Sequence, residues 1–284
     1  MSGDGATEDD LSVLIVSHGS SLDPDSYEPV YDCARRLRKK CRFGEVVVGF
    51  HKQSPGLREA WRSLESRRVA VIPFLASAGF FASRFIPKQL GFEAAHYDEV
   101  VDLGDRQIVY TAPVGVDRQV WSLVDEVAIN AIDTILPPDL TPDQVTVLVV
   151  GHGTPRHRAS GQSVRDCVAY LREQKARFGH VLEAFVDEEP FLDSVLERAP
   201  AGDIVVVPYF VANGPHVTED IPQGLGIAGD PSDHPHRVGE HRFWFVDAIG
   251  LRAELCEIVA ARARAAADKL GVSFGEDKDF EIRS

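Results

Sequence analysis

The sequence predicts an α/β protein made of two pseudo-symmetric three-layer lobes, each with a four-stranded parallel sheet. Three observations lead there. Apolar β-branched runs alternate with segments whose apolar residues recur every three or four positions, the pattern of a parallel sheet covered by helices. The chain also repeats itself: His18 aligns with His152 and Asp32-Cys33 with Asp166-Cys167 at an offset of 134. Finally, "RFGEVVVGFHKQSP" (42–55) aligns with "RFGHVLEAFVDEEP" (177–190), and "IPFLASAGFFASRFIPKQLG" (72–91) with "VPYFVANGPHVTEDIPQGLG" (207–226), both at an offset of 135. A register held over some hundred residues with one single-residue shift marks an internal duplication.

Each half reads in the same order. A strand (11–16; 145–150) ends at a His-Gly turn, and a helix follows with Val30, Cys33, Leu37 and Cys41 on one face. A second strand (45–50; 180–185) leads to a helix opened by Pro55 or Pro190. The third strand (69–72; 204–207) runs into a loop of small residues and a short helix near Pro87 or Pro222. A fourth strand (107–110; 243–246) precedes a closing helix, entered at Gly115 or Gly250. The proline-rich segment "LPPDLTPDQ" (136–144) suits a linker, so the lobes are expected at 1–139 and 140–284. In parallel sheets ligands collect beyond the carboxyl ends of the strands, where both His-Gly turns lie.

Composition narrows the function classes. The formal net charge of −14 makes duplex nucleic acid and anionic membranes poor partners. No apolar run reaches the ~20 residues of a membrane span. The acidic opening "MSGDGATEDD" lacks a signal-peptide core, so a cytoplasmic location is expected. Four scattered cysteines without a CxxC pair suit a reducing compartment, with Cys33 and Cys167 read as core thiols.

The two copies diverge at the strand ends. His216 aligns with Phe81, Asp187 with Lys52, Glu189 with Ser54, Asp220 with Phe85 and Asn213 with Ala78. The second half thus gathers His152, His216, Asp187 and Glu189 on neighbouring loops, while the first keeps His18. Two imidazoles with one or two carboxylates suit a borderline divalent ion and supply bases near neutrality. The plainer alternatives are turn histidines bonded to backbone, and acids that start a helix. Arg156, His157 and Arg158 follow His152 directly, and the arginines offer forks for carboxylates. Asn213 and these arginines are the candidate ligand-binding residues. Lys52, Arg84 and Lys88, with the apolar loop Phe74 to Phe81, are candidates in the first half. His234, His236 and His241 read as a flexible surface cluster.

At "GHGT…NGPHVTEDIP" the chain resembles the sirohydrochlorin chelatases of the CbiX type, in their long duplicated form, within the class II chelatases. The resemblance covers nearly the whole chain. It implies ATP-independent insertion of Co²⁺, or else Fe²⁺ or Ni²⁺, into sirohydrochlorin in cobalamin or sirohaem synthesis. No organic cofactor is implied; the metal is a substrate, the tetrapyrrole the small-molecule partner, and the protein a monomer or homodimer. The family's metal-site histidines fall on His152 and His216, and its acidic helper on Asp187 or Glu189. Some long relatives keep the working histidines in the first half, unlike this chain, and the cysteine-rich tail of others is absent. A non-catalytic carrier of metal or tetrapyrrole would use the same residues. A histidine phosphatase fits poorly, because Ser17 and Gly151 stand where such sites place an arginine before His-Gly.

Overall fold

A computed structural model of the protein describes residues 6–174, 177–233 and 235–274. The chain divides into two compact units. One takes the described residues up to Val116 and from Arg252 onward, the other Asp117–Leu251.

In the first unit, β1 (Leu11–Ser17), β2 (Glu45–Phe50), β3 (Arg68–Pro73), β4 (Val100–Leu103) and β5 (Arg106–Tyr110) form one sheet in the order β2-β1-β3-β5-β4. In the second, β6 (Thr146–Gly151), β7 (His180–Phe185), β8 (Gly202–Pro208), β9 (His236–Val238) and β10 (His241–Phe245) repeat it as β7-β6-β8-β10-β9. Even the register repeats, Val16 opposite Pro73 and Val150 opposite Pro208. Every residue of β1 and β6 is buried, as expected of central parallel strands with both faces covered.

Each sheet has five strands where four were expected. The additional strand, β4 or β9, is an antiparallel edge strand reached through a turn with Gly104 (φ 66°) or Gly239 (φ 59°). Its alternation of exposed and half-buried residues leaves little apolar signal, which is why those segments read as loops. The second histidine cluster is therefore not a loose loop. His236 opens β9, and His241 is buried in β10. His234 lies outside the described residues.

Helices cover the sheets with matching faces. α1 (Glu28–Lys40) buries Val30, Cys33, Ala34 and Leu37; α5 (Ala159–Glu173) buries Val164, Cys167, Val168 and Leu171, the same positions shifted by 134. Both thiols are core residues, as expected. Leu14, Val16, Val71 and Ile108 anchor one core, and Leu148, Val150, Val206 and Phe243 the other. Each such side chain contributes about 1.5–3 kcal/mol on burial.

The closing helices do not follow the sequence halves. α4 (Arg118–Thr134) packs on α5 and β8, in the unit of the second repeat. α8 (Glu254–Lys269) packs on β3 and α1, in the unit of the first. The 139/140 boundary describes the repeat; the compact units exchange their last helices. Gly115 and Gly250 stand just before these exchanges. A Cβ at either would overlap the backbone of Ala76 or Val211, so only glycine lets the chain pass. No helix of the described residues is long and apolar enough to cross a membrane.

Candidate metal centre

The second unit builds its site from the ends of β6, β7 and β8. His152 follows β6, in a turn closed by Gly153 at φ 69°. The end of β7 is tied to this turn: Val186 N–H donates to the Gly151 carbonyl at 3.1 Å and Asp187 N–H to the His152 carbonyl at 2.8 Å. Those two bonds hold Asp187 beside His152, with its Oδ2 3.7 Å from Nδ1.

His216 lies beyond β8, at the start of a π-helical turn, His216–Asp220, whose closing bond runs from Ile221 N–H to the His216 carbonyl. The wider turn has a local cause. Pro222 has no N–H for the Thr218 carbonyl, and its ring would crowd an α-helical carbonyl there. Such turns are frequent at functional sites. Here it sets His216 and Asp220 side by side, Nδ1 to Oδ2 2.6 Å.

The result is an imidazole pair. The rings of His152 and His216 lie edge to face, their centres 4.6 Å apart and their planes at 84°. His152 directs Nδ1 at the Gly153 carbonyl, 2.8 Å away, and His216 directs Nδ1 at Asp220. Acceptors at both Nδ1 atoms select the Nδ1–H tautomer and leave Nε2 as the nitrogen each ring can offer. The backbone-bonded turn histidine and the ligand are thus not rival readings of His152, since one nitrogen serves each role. An ion about 2.1 Å from Nε2 lies roughly 3.2 Å from the ring centre, so two rings sharing it at roughly 90–110° have centres about 4.5–5.2 Å apart. The observed spacing falls inside that range. Among the described residues no group of three or more His, Cys, Asp or Glu is gathered to hold a metal. A two-imidazole grip leaves the remaining coordination positions open.

The other expected residues divide. Asp187 and Asp220 both line an open depression with Val186, Phe191, Leu192 and Gln223, so negative charge borders the imidazoles on that side. Glu189 is exposed, and its described bond is through its carbonyl, which accepts from Arg165 at 3.2 Å. Asp187 is therefore the carboxylate that the fold brings to His152. Arg156 is exposed and donates its backbone N–H to Thr154; Arg158 is exposed at the start of α5. Asn213 is half-buried, and its buried Oδ1 meets no hydrogen-bond partner among the described residues.

Two residues at this site carry no role in the sequence reading. Asp220, the partner of His216, sat in view four residues further on, in a column where the first half has Phe85. Glu188 stands between Asp187 and Glu189 and aligns with the similarly shaped Gln53, so it makes a weak column difference. It is buried, accepts the Thr154 N–H at 2.6 Å and the Arg165 guanidinium at 2.5 Å, and packs against Gly153, where a Cβ would overlap it. Its counterpart Gln53 takes the Ser20 N–H at 2.9 Å in the same way. Position 188 therefore braces the His-Gly turn, which is why no charge pattern betrays it.

Two α/β units of equal topology, each ending strands at a His-Gly turn, define a duplicated chelatase-like fold. The chain belongs to the CbiX family, whose model matches it twice, over residues 12–131 and 146–266. It is 33% identical over 276 residues to a probable sirohydrochlorin cobaltochelatase of Halobacterium salinarum, covering 92% of this chain and 93% of that one. A sirohydrochlorin cobaltochelatase of Methanopyrus kandleri is 32% identical over 133 residues, 92% of its own length but 40% of this chain, as expected where one repeat is matched. Among solved structures, a Deinococcus radiodurans protein described as multi-domain with structural similarity to chelatases superposes with a TM-score of 0.73 at 25% identity. That match covers 92% of this chain and 56% of the larger protein.

Proposed function

We propose that this protein inserts Co²⁺ into sirohydrochlorin without ATP, with Fe²⁺ and Ni²⁺ as chemically similar alternatives. The observation that carries the reading is the His152–His216 pair with both Nδ1 atoms engaged and an acid beside each ring. The names of the two relatives support the substrate and the metal.

Insertion replaces two pyrrole N–H protons with one M²⁺, so two protons must leave for each ion that enters. Neutral imidazoles can hold the incoming ion, and Asp187 and Asp220 offset its charge. As the ring nitrogens replace the imidazoles, the freed Nε2 atoms can accept the pyrrole protons. The adjacent carboxylates stabilise the imidazolium ions that result. Loose two-point binding serves this purpose, because a site with four strong ligands would retain its metal. Arg156 and Arg158 supply cations near the site for the carboxylates of the macrocycle.

The test is an absorbance assay of the purified protein with sirohydrochlorin and each metal in turn. Many turnovers per protein, fastest with Co²⁺, are expected, without ATP. Binding of one equivalent with no turnover would make the protein a carrier and overturn the reading.

A further inference from the structure

Behind the His152 turn, three sequence columns change together between the halves while the ring they surround stays the same. Glu188 aligns with Gln53, Arg165 with Tyr31 and Gly161 with Tyr27, around an unchanged Phe185 or Phe50. In the second unit the Arg165 guanidinium lies over the Phe185 ring at 4.7 Å. It donates to Glu188 Oε1 at 2.5 Å and to the Glu189 carbonyl at 3.2 Å. In the first unit Tyr31 makes the same three contacts with neutral groups. Its ring centre is 5.2 Å from that of Phe50, and its hydroxyl accepts from Gln53 Nε2 at 3.4 Å and donates to the Ser54 carbonyl at 2.9 Å. Gly161 makes room for the charged version, since a Cβ there would overlap both Glu188 and the Arg165 guanidinium.

Each brace ends on a single peptide group. Glu188 accepts the Thr154 N–H at 2.6 Å, and the carbonyl of that same peptide, on Gly153, faces His152 Nδ1 at 2.8 Å. Gln53 takes the Ser20 N–H at 2.9 Å, and the Gly19 carbonyl faces His18 Nδ1 at 2.9 Å. A peptide group is planar, so holding its N–H fixes the direction of its carbonyl. The carbonyl in turn fixes the tautomer and tilt of the imidazole. The two braces differ in charge. Glu188 is buried, and Arg165 is its ion-pair partner. A buried carboxylate stripped of its counter-ion is left uncompensated, which costs more than lacking the pair altogether. Gln53 makes no such demand.

We propose that Arg165 is a positioning residue for metal capture, acting through Glu188 and the Gly153–Thr154 peptide to aim His152 Nε2 at the ion. That this nitrogen receives the ion rests on the proposed function. The geometry also predicts a rescue, because the neutral pair of the first unit holds the same turn without a counter-ion.

The test compares Arg165→Tyr, Glu188→Gln and the double variant in the full-length protein, by isothermal titration with Co²⁺, steady-state insertion and thermal melts. Arg165→Tyr is expected to weaken Co²⁺ binding about 10-fold and to raise the KM for Co²⁺, while the KM for sirohydrochlorin stays within about twofold. Glu188→Gln alone keeps an acceptor for the Thr154 N–H and is expected to cost less. Adding it to Arg165→Tyr is expected to restore the affinity to within about threefold, a non-additivity that unconnected residues do not show. Arg165→Lys, which keeps the charge but loses the fork, replaces Arg165→Tyr should that variant fail to fold, with binding weakened in the same direction. Affinity that falls in Arg165→Tyr and returns in the double variant, without turnover by the unaltered protein, would keep the positioning role and remove the insertion reading. Normal turnover with Co²⁺ affinity unchanged in the folded Arg165 variant, whatever its melting temperature, would overturn the positioning role and leave the insertion reading standing. A double variant that binds no tighter than Arg165→Tyr would overturn the positioning role as well.

Discussion

Alanine at His152 or His216 reduces metal insertion by more than about 100-fold and leaves the fold intact. The lower bound follows from metal sites in general, where loss of a residue that merely supports a ligand costs about 10–100-fold, so loss of the ligand itself costs more. Neither side chain holds up a core. His152 makes its described side-chain contacts with the Gly153 carbonyl, Asp187 and His216, and His216 is exposed on its turn. The double variant falls little further than either single one, because the two rings act on one ion and their effects do not add. Steady-state insertion assays, paired with circular dichroism and thermal melts, measure both parts. Full activity in either single variant would remove the pair from the mechanism.

Substitution at Asp220 separates orientation from charge. Its Oδ2 accepts from His216 Nδ1 at 2.6 Å within one π-helical turn. Asparagine can still accept that hydrogen bond through its carbonyl, whereas alanine loses bond and charge together. The apparent affinity for Co²⁺ is expected to fall about 10-fold in Asp220→Asn and about 100-fold in Asp220→Ala, the span usual for such supporting carboxylates. Isothermal titration with Co²⁺ reads the difference. Equal affinities in all three proteins would show that Asp220 does not steer His216.

The duplication was legible in the sequence because the repeat survives at the positions that shape the backbone. Val30 and Val164, Cys33 and Cys167, and Gly115 and Gly250 do the same work in both halves. The edge strands were not legible, since a strand with one neighbour and half-exposed residues carries almost no apolar pattern. Nor was the exchange of closing helices. An amphipathic helix such as α4 declares which face it buries but not which sheet receives it. At the site, His152 stood out through the repeated His-Gly turn and His216 through its column difference with Phe81, and the structure brings those rings together. Glu188 and Arg165 did not stand out. Their importance comes from what the turns bring beside them, a backbone N–H for one and a buried carboxylate for the other.

X-ray absorption at the cobalt edge, on protein loaded with one equivalent of Co²⁺, measures the imidazole pair directly. The scattering of two imidazoles is expected in the unaltered protein, and of one in His216→Ala. A spectrum with no imidazole contribution, or one unchanged in His216→Ala, would place the ion elsewhere and contradict the account.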